Sequence, residues 1–219
     1  MTSEPLVIDG CSVHVLGVIK GLVSESKKVQ QAFDWYRPDM VAVSLSKEDV
    51  DGLRNIPEDY EPMLTDYEEF YATGLERFGE VRAPPPCYVA AVEMADHLQV
   101  PLTAIDFDED EYTALYCAAV SGVNLFRHST RKWIVKRRKY STKSPEDFVR
   151  AWDRSINGLE GFRIVEQRRA EHMAKEILRE CRTFKRILAI IEFERAGDVR
   201  KLLTSKGRPV RGNEKNRIL

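Results

Sequence analysis

Strand, helix and strand follow one another within about 35 residues near the start of the chain, a spacing that fits a right-handed βαβ crossover and therefore a parallel sheet. Ser12-Val13-His14-Val15-Leu16 is a short β-type run, and Gly17 ends it. Ser24 stands where a helix N-cap is favoured and Glu25 suits the first turn. Val29, Ala32, Phe33 and Tyr36 then recur at helical spacing before Pro38 stops the helix, and Met40-Val41-Ala42-Val43-Ser44-Leu45 reads as a buried strand.

The same grammar returns along the chain. Pro5-Leu6-Val7-Ile8 precedes Asp9-Gly10-Cys11, a turn signal that makes an opening hairpin with the Ser12 run. Tyr88 to Leu98 reads as a helix, Leu102 to Asp106 as a strand and Glu109 to Val120 as a helix. Ile164 to Arg182 is amphipathic, with Val165, Met173, Ile177 and Leu178 as apolar markers, and it leads into the strand-like Ile187 to Ile191. A short helix is expected from Val199 to Leu203. The fold class is α/β: a mainly parallel central sheet with flanking helices, an N-terminal β-hairpin and a helical insertion. One domain over residues 1–203 is expected, with a basic helical insertion near 126–160 and a flexible basic tail over 204–219. The acidic, proline-flanked stretch 55–86 reads as a surface excursion with a helix near Tyr67 to Phe78.

Charge is divided along the chain. Residues 1–125 carry 8 basic and 23 acidic side chains and residues 126–219 carry 26 and 12, so −15 is followed by +14. Such polarity suits either an internal electrostatic match, within a monomer or across a homodimer, or a basic face for an anionic partner. The basic run holds Arg131, Lys132, Trp133, Lys136, Arg137, Arg138 and Lys139, with Tyr140 following. Cations interleaved with aromatic rings combine phosphate attraction with a stacking surface, so RNA or ribosome binding is one expectation. The competing one is a solvated helix face.

Cys11, Cys87, Cys117 and Cys181 show neither a CxxC nor a zinc spacing, and reduced, mostly buried thiols are expected. The N-terminus lacks a signal-peptide pattern and no run of about 18 apolar residues occurs, so a cytoplasmic protein without a membrane span is expected. His14, His97, His128 and His172 form no HExxH pattern, and no nucleophile elbow or phosphate-binding glycine loop is present. His14 is expected to be packed or at a rim. The acidic Asp106 to Glu111 run lacks the spacing of a calcium loop, and its carboxylates suit a helix N-terminus. No cofactor is expected.

The order of the segments resembles the TraB family of pheromone-shutdown proteins and their archaeal relatives, themselves akin to Tiki-type proteases and ChaN-like haem-binding proteins. The stretches that carry the resemblance are Val13 to Lys20, Ser24 to Ser44 with its Arg37-Pro38-Asp39-Met40-Val41-Ala42-Val43 core, Ala90 to Asp108, and Arg168 to Arg195. The family's Gly-x-x-His motif is met here by Gly17-Val18-Ile19-Lys20, with lysine at the histidine's place. Its strand-end glutamate corresponds to Ser44, and its Glu-Arg-Asp-x-Tyr-Met-Ala helix to Arg168-Arg169-Ala170-Glu171-His172-Met173-Ala174. Its second histidine motif falls on Glu192-Phe193-Glu194-Arg195, which has no histidine. Ile105-Asp106-Phe107-Asp108 and Glu93 are the best-kept pieces.

Lysine and arginine are cationic at neutral pH and ligate transition metals poorly, so the resemblance implies a relative without the family's presumed catalysis. The expected site groups Lys20, Ser44, Asp106, Asp108, Arg169 and Arg195 near the carboxyl ends of the strands. As an anion-binding pocket it would take a phosphate or carboxylate. The bland alternative pairs Lys20 and Arg169 with Asp106 and Asp108 in an ion network. A third reading keeps a metal-dependent hydrolase in which Asp106 and Asp108 ligate a metal or act as an acid/base pair. The leading expectation is a non-catalytic binding or regulatory module.

Overall fold

The computed structural model describes residues 4–57, 59–127, 140 and 142–206. The opening hairpin joins β1 (Leu6–Ile8) to β2 (Cys11–Val18) through Asp9 and Gly10, both at positive φ. Two left-handed residues in sequence give a turn whose twist matches that of the strands, which is why an Asp-Gly pair sits there. Helix α1 (Ser24–Tyr36) crosses to β3 (Met40–Val43), and α2 (Lys47–Arg54) begins in a capping box of Ser46 and Asp49. Helix α3 (Asp66–Leu75) ends in a single 3-10 turn (Glu76–Phe78). Helix α4 (Pro86–His97) leads to β4 (Leu102–Ala104) and α5 (Glu109–Ala119). Residues 122–127 are helical and are designated α6. Then follow α7 (Pro145–Ile156), α8 (Glu160–Glu180), β5 (Arg186–Glu192) and α9 (Phe193–Lys206).

The five strands lie in the order β1-β2-β5-β3-β4, parallel except for β1. Strand alternation sorts the apolar residues into two layers. Val13, Val15, Met40, Ala42, Ile187, Ala189 and Ile191 face α8 and α9, which contribute Met173, Ala174, Ile177, Val199 and Leu203. Leu16, Val18, Val41, Val43, Leu188 and Ile190 face α1 and α4, with Val29, Phe33, Tyr88 and Ala91 packed on them. The fold is therefore α/β with helices on both faces. No helix among the described residues is long and apolar enough to cross a membrane.

Two helices depart furthest from the sequence reading, each for a local reason. Helix α9 begins at Phe193 and runs to Lys206, longer than the expected Val199 to Leu203, so residues 204–206 are helix rather than tail. Val199 and Leu203 are fully buried, but the buried position one turn before them is the charged Arg195, which hides the helical stripe in the sequence. Helix α7 was not legible as a separate element; Ser144 accepts from the Asp147 N–H at 3.1 Å and Pro145 opens its first turn.

Helices α3 and α7 pack over the end of β2. Ile19, Leu22, Leu75, Phe148 and Val149 form a third cluster, with Tyr71, Phe78, Tyr140, Trp152 and Phe193 around it. Gly21 allows the chain to turn there: at φ +97° its Cα lies against the 79–82 segment, where the Arg82 N–H donates to the Gly21 carbonyl at 2.9 Å.

Candidate functional site

Each of the four parallel strands delivers a polar residue to the same end of the sheet. Lys20 follows β2, Ser44 follows β3, Asp106 follows β4 and Glu192 closes β5. This carboxyl edge is where open α/β sheets place their sites, because the strand order leaves a crevice between crossovers that run to opposite faces. Arg169 reaches it from α8, Arg195 from α9 and Asp153 from α7.

The arginines organise the cluster. Arg169 donates from Nε to both Asp106 oxygens, at 3.0 and 3.3 Å, and its Nη2 also bonds Asp106. Its Nη1 donates to Glu166 at 2.9 Å and its Nη2 reaches Glu192 at 3.3 Å. Arg195 pairs with Glu166 and with Asp153. Lys20 Nζ donates to Glu192 Oε1 at 2.8 Å. Glu166 thus links the two arginines, and Glu192 links Arg169 to Lys20.

Burial and charge oppose each other at Glu192. Desolvation pushes its carboxyl pKa up, but Arg169 and Lys20 outweigh this and hold it down at about 2. The attraction of Glu192 raises the Lys20 pKa in turn. Burial works against the charged forms of Arg169 and Arg195, yet their carboxylate partners keep both above the ordinary arginine value.

Ser44 is bonded into the strand ends. Its Oγ accepts from the Glu192 N–H at 3.1 Å and shares a 2.7 Å hydrogen bond with the Tyr88 hydroxyl. Glu25, in the first turn of α1, accepts from the Ile19 N–H and from Lys28, both at 3.1 Å, and Lys28 also donates to the Gly17 carbonyl. That pair fastens the loop after β2 to α1.

The structure brings Lys20, Ser44, Asp106, Arg169 and Arg195 together and leaves Asp108 apart. Asp108 is the N-cap of α5, accepting from the Glu111 N–H at 2.7 Å, so it is neither a partner of Lys20 or Arg169 nor part of an acid/base pair with Asp106. Glu93 is exposed on α4. His14 is wholly buried with its ring against Trp35 and Tyr36, the packed position expected of it.

The cations expected to attract a phosphate or carboxylate are already engaged. Lys20, Arg169 and Arg195 face four carboxylates, Asp106, Asp153, Glu166 and Glu192. Glu194, one residue into the first turn of α9, adds another acid, its pKa raised by burial and by Glu192. Among the described residues no group of three or more His, Cys, Asp or Glu is placed to hold a metal ion. The carboxylates around Lys20, Arg169 and Arg195 serve as their counter-ions.

Several participants carried no motif. Glu166 was detectable in principle, because it lies one helical turn before Arg169. Asp153 sits on the helix that the sequence reading did not resolve. Tyr71, from α3, places a buried hydroxyl without a hydrogen-bond partner among the described residues, and its pKa is raised by burial and by Glu194 and Glu192. Beside the network the described residues leave a cleft of about 750 Å³, lined by Gly17, Asp153, Phe193, Glu194 and Gly197 among others.

Of the basic segment, Arg131, Lys132, Trp133, Lys136, Arg137, Arg138 and Lys139 lie outside the described residues. Tyr140 does not act as a stacking surface: its ring packs against Phe148 and Trp152, at 5.4 and 6.1 Å. Cys11, Cys87 and Cys181 are buried free thiols and Cys117 is exposed.

Compared with known proteins, the chain matches no family model and no curated sequence.

Proposed function

We propose that this chain is a divergent TraB-like domain acting as a non-catalytic binding or regulatory module, with its ligand entering the cleft beside the carboxyl-end network. The observation that carries this reading is the fate of Lys20 and Arg195. These residues stand where the resembled family has histidines, and each is held in ion pairs with carboxylates that a metal would otherwise use. Ala170, at the place of a family acid, is buried against the sheet. The residues do not fit a transition metal, and no reaction step is assigned to one.

Two measurements test the proposal. Purified protein incubated with a mixed peptide pool and Zn²⁺ or Mn²⁺ is expected to show no turnover. Metal-dependent hydrolysis lost in Asp106→Asn and Glu192→Gln would overturn the non-catalytic reading. Heteronuclear NMR against a pool of small polar metabolites is expected to shift Gly17, Glu194 and Gly197, and an unperturbed cleft would remove the binding assignment.

The division of charge supports a second reading, in which the +14 half binds RNA or the ribosome through the basic segment. With Tyr140 packed inside, Trp133 is the remaining ring of that run for stacking on bases. Binding to a mixed RNA pool that weakens steeply with salt, and disappears when Lys136, Arg137, Arg138 and Lys139 are neutralised, would raise it above the first; salt-insensitive or absent binding would dismiss it.

A further inference from the structure

Several of the charged side chains that line the cleft beside the ion network are already paired. Asp153 is bound to Arg195 and Asp198 to Lys201, while Lys28 pairs with Glu25 and donates to the Gly17 carbonyl. Arg150, Arg154 and Glu194 line the same cleft, and none of the three makes an ion pair or a side-chain hydrogen bond with the described residues. Glu146 is unpaired as well, but it stands in the first turn of α7, where the helix itself stabilises a carboxylate.

The two arginines present one cationic stripe. They lie one helical turn apart on α7, and the Arg150 guanidinium rests over the Phe193 ring, 4.7 Å from its centroid. A guanidinium held by its face keeps the N–H groups at its edge for a second partner. Glu194 follows that ring in the chain, in the first turn of α9. The helix end does not satisfy this carboxyl as it does Glu146, because burial and the neighbouring Glu192 push its pKa up.

We propose, on the binding role assigned to this cleft, that its ligand is a zwitterion whose ammonium pairs with Glu194 and whose carboxylate pairs with Arg150 and Arg154. A carboxyl set among other acids without a counter-ion gains most from an incoming cation. On the other side, a planar carboxylate matches the edge of a guanidinium with two parallel hydrogen bonds. A phosphate would bring a second negative charge toward Asp153 and Glu146, so the singly charged carboxylate fits the cleft better. Leu16, Phe193 and Ala196 supply the apolar wall for the methylene groups that separate the two charges.

Isothermal titration of the full-length chain with glycine, β-alanine and γ-aminobutyrate tests this, each beside the amine and the carboxylate of equal chain length. One amino acid of the series is expected to bind at least roughly tenfold more tightly than either of its singly charged analogues. Glu194→Gln should reduce it to the level of the carboxylate analogue, and Arg150→Gln combined with Arg154→Gln to the level of the amine. The glutamine at 194 keeps the shape of a neutral carboxyl, so that variant is expected to fold, as its circular dichroism will show. Binding of the carboxylate analogue as tight as that of the amino acid, or unchanged affinity in Glu194→Gln, would overturn the proposal. So would silence of the whole series; if Gly17 and Gly197 still shift with other small metabolites, the cleft remains a binding site and only the zwitterion is dismissed, whereas an unperturbed cleft removes both.

Discussion

Arg169 grips Asp106 with two nitrogens across the gap between α8 and the end of β4, and both side chains are largely shielded from water. A planar guanidinium facing a carboxylate in this way fixes direction as well as distance. The pair ties a helix from one face of the sheet to the strand at its far edge.

Removing one partner leaves the other charge buried. Asp106→Asn is expected to destabilise the fold by about 2 to 4 kcal/mol, because Glu166 and Glu192 still attend Arg169 and limit the loss. Urea denaturation monitored by circular dichroism measures it. A change within a few tenths of a kcal/mol would show that the pair is solvated and energetically idle.

Acid should loosen the network in a defined window. The Glu192 pKa lies near 2 in the folded chain against an ordinary 4.5, so its contribution is present above 4.5 and is lost as pH falls from there toward 2. A displacement of that size corresponds to about 3 kcal/mol. Glu194 is shifted the other way, so its contribution is present at low pH and declines as pH rises past the ordinary value. Glu192→Gln should therefore flatten the acid limb of the stability profile, and an unchanged slope between pH 5 and pH 2 would contradict this assignment.

Ser44 and Tyr88 should behave as one unit. Ser44→Ala removes the acceptor of the Glu192 N–H and strands the Tyr88 hydroxyl, whereas Tyr88→Phe removes only the second bond. The serine variant is expected to cost about 1 to 3 kcal/mol and the phenylalanine variant about 1. A double-mutant cycle in urea should return a coupling of about 0.5 kcal/mol or more, and additive losses would separate the two residues.

Much of this architecture was legible because local and global signals agree. The Val41–Val43 strand, the Asp9-Gly10 turn and the α5 start at Asp108 each follow from residue chemistry at a single place. Strand order was not legible: β5 inserts between β2 and β3 by packing Ile187 to Ile191 on both faces, and nothing local to that apolar run names its neighbours. The site was half legible for the same reason. Lys20, Ser44, Asp106, Arg169 and Arg195 were singled out through the family resemblance, which names positions but not their partners, and the carboxylates that neutralise them come from α7, α8 and β5 through tertiary contacts. Asp108 was read both as a site residue and as part of a helix N-terminus, because an acid beside a strand end and a helix N-cap look alike in sequence, and the structure puts it in the second role.

The packing of α3 on α7 depends on a missing side chain. A Cβ at Gly74 would lie 2.2 Å from Phe148 Cζ and 2.6 Å from its Cε2. Phe148 is fully buried and held among Tyr71, Tyr140 and Trp152, so its ring has little room to withdraw. Gly74→Ala gains about 1 kcal/mol of helix propensity but overpacks this cluster, and a net loss of about 1 to 2 kcal/mol is expected. Adding Phe148→Leu should recover part of that loss, since the shorter side chain vacates the clashing position. A Gly74→Ala variant that melts at or above the wild-type temperature would show that α3 can slide along α7, and the cover over Lys20 and Glu194 would then be looser than the packing implies.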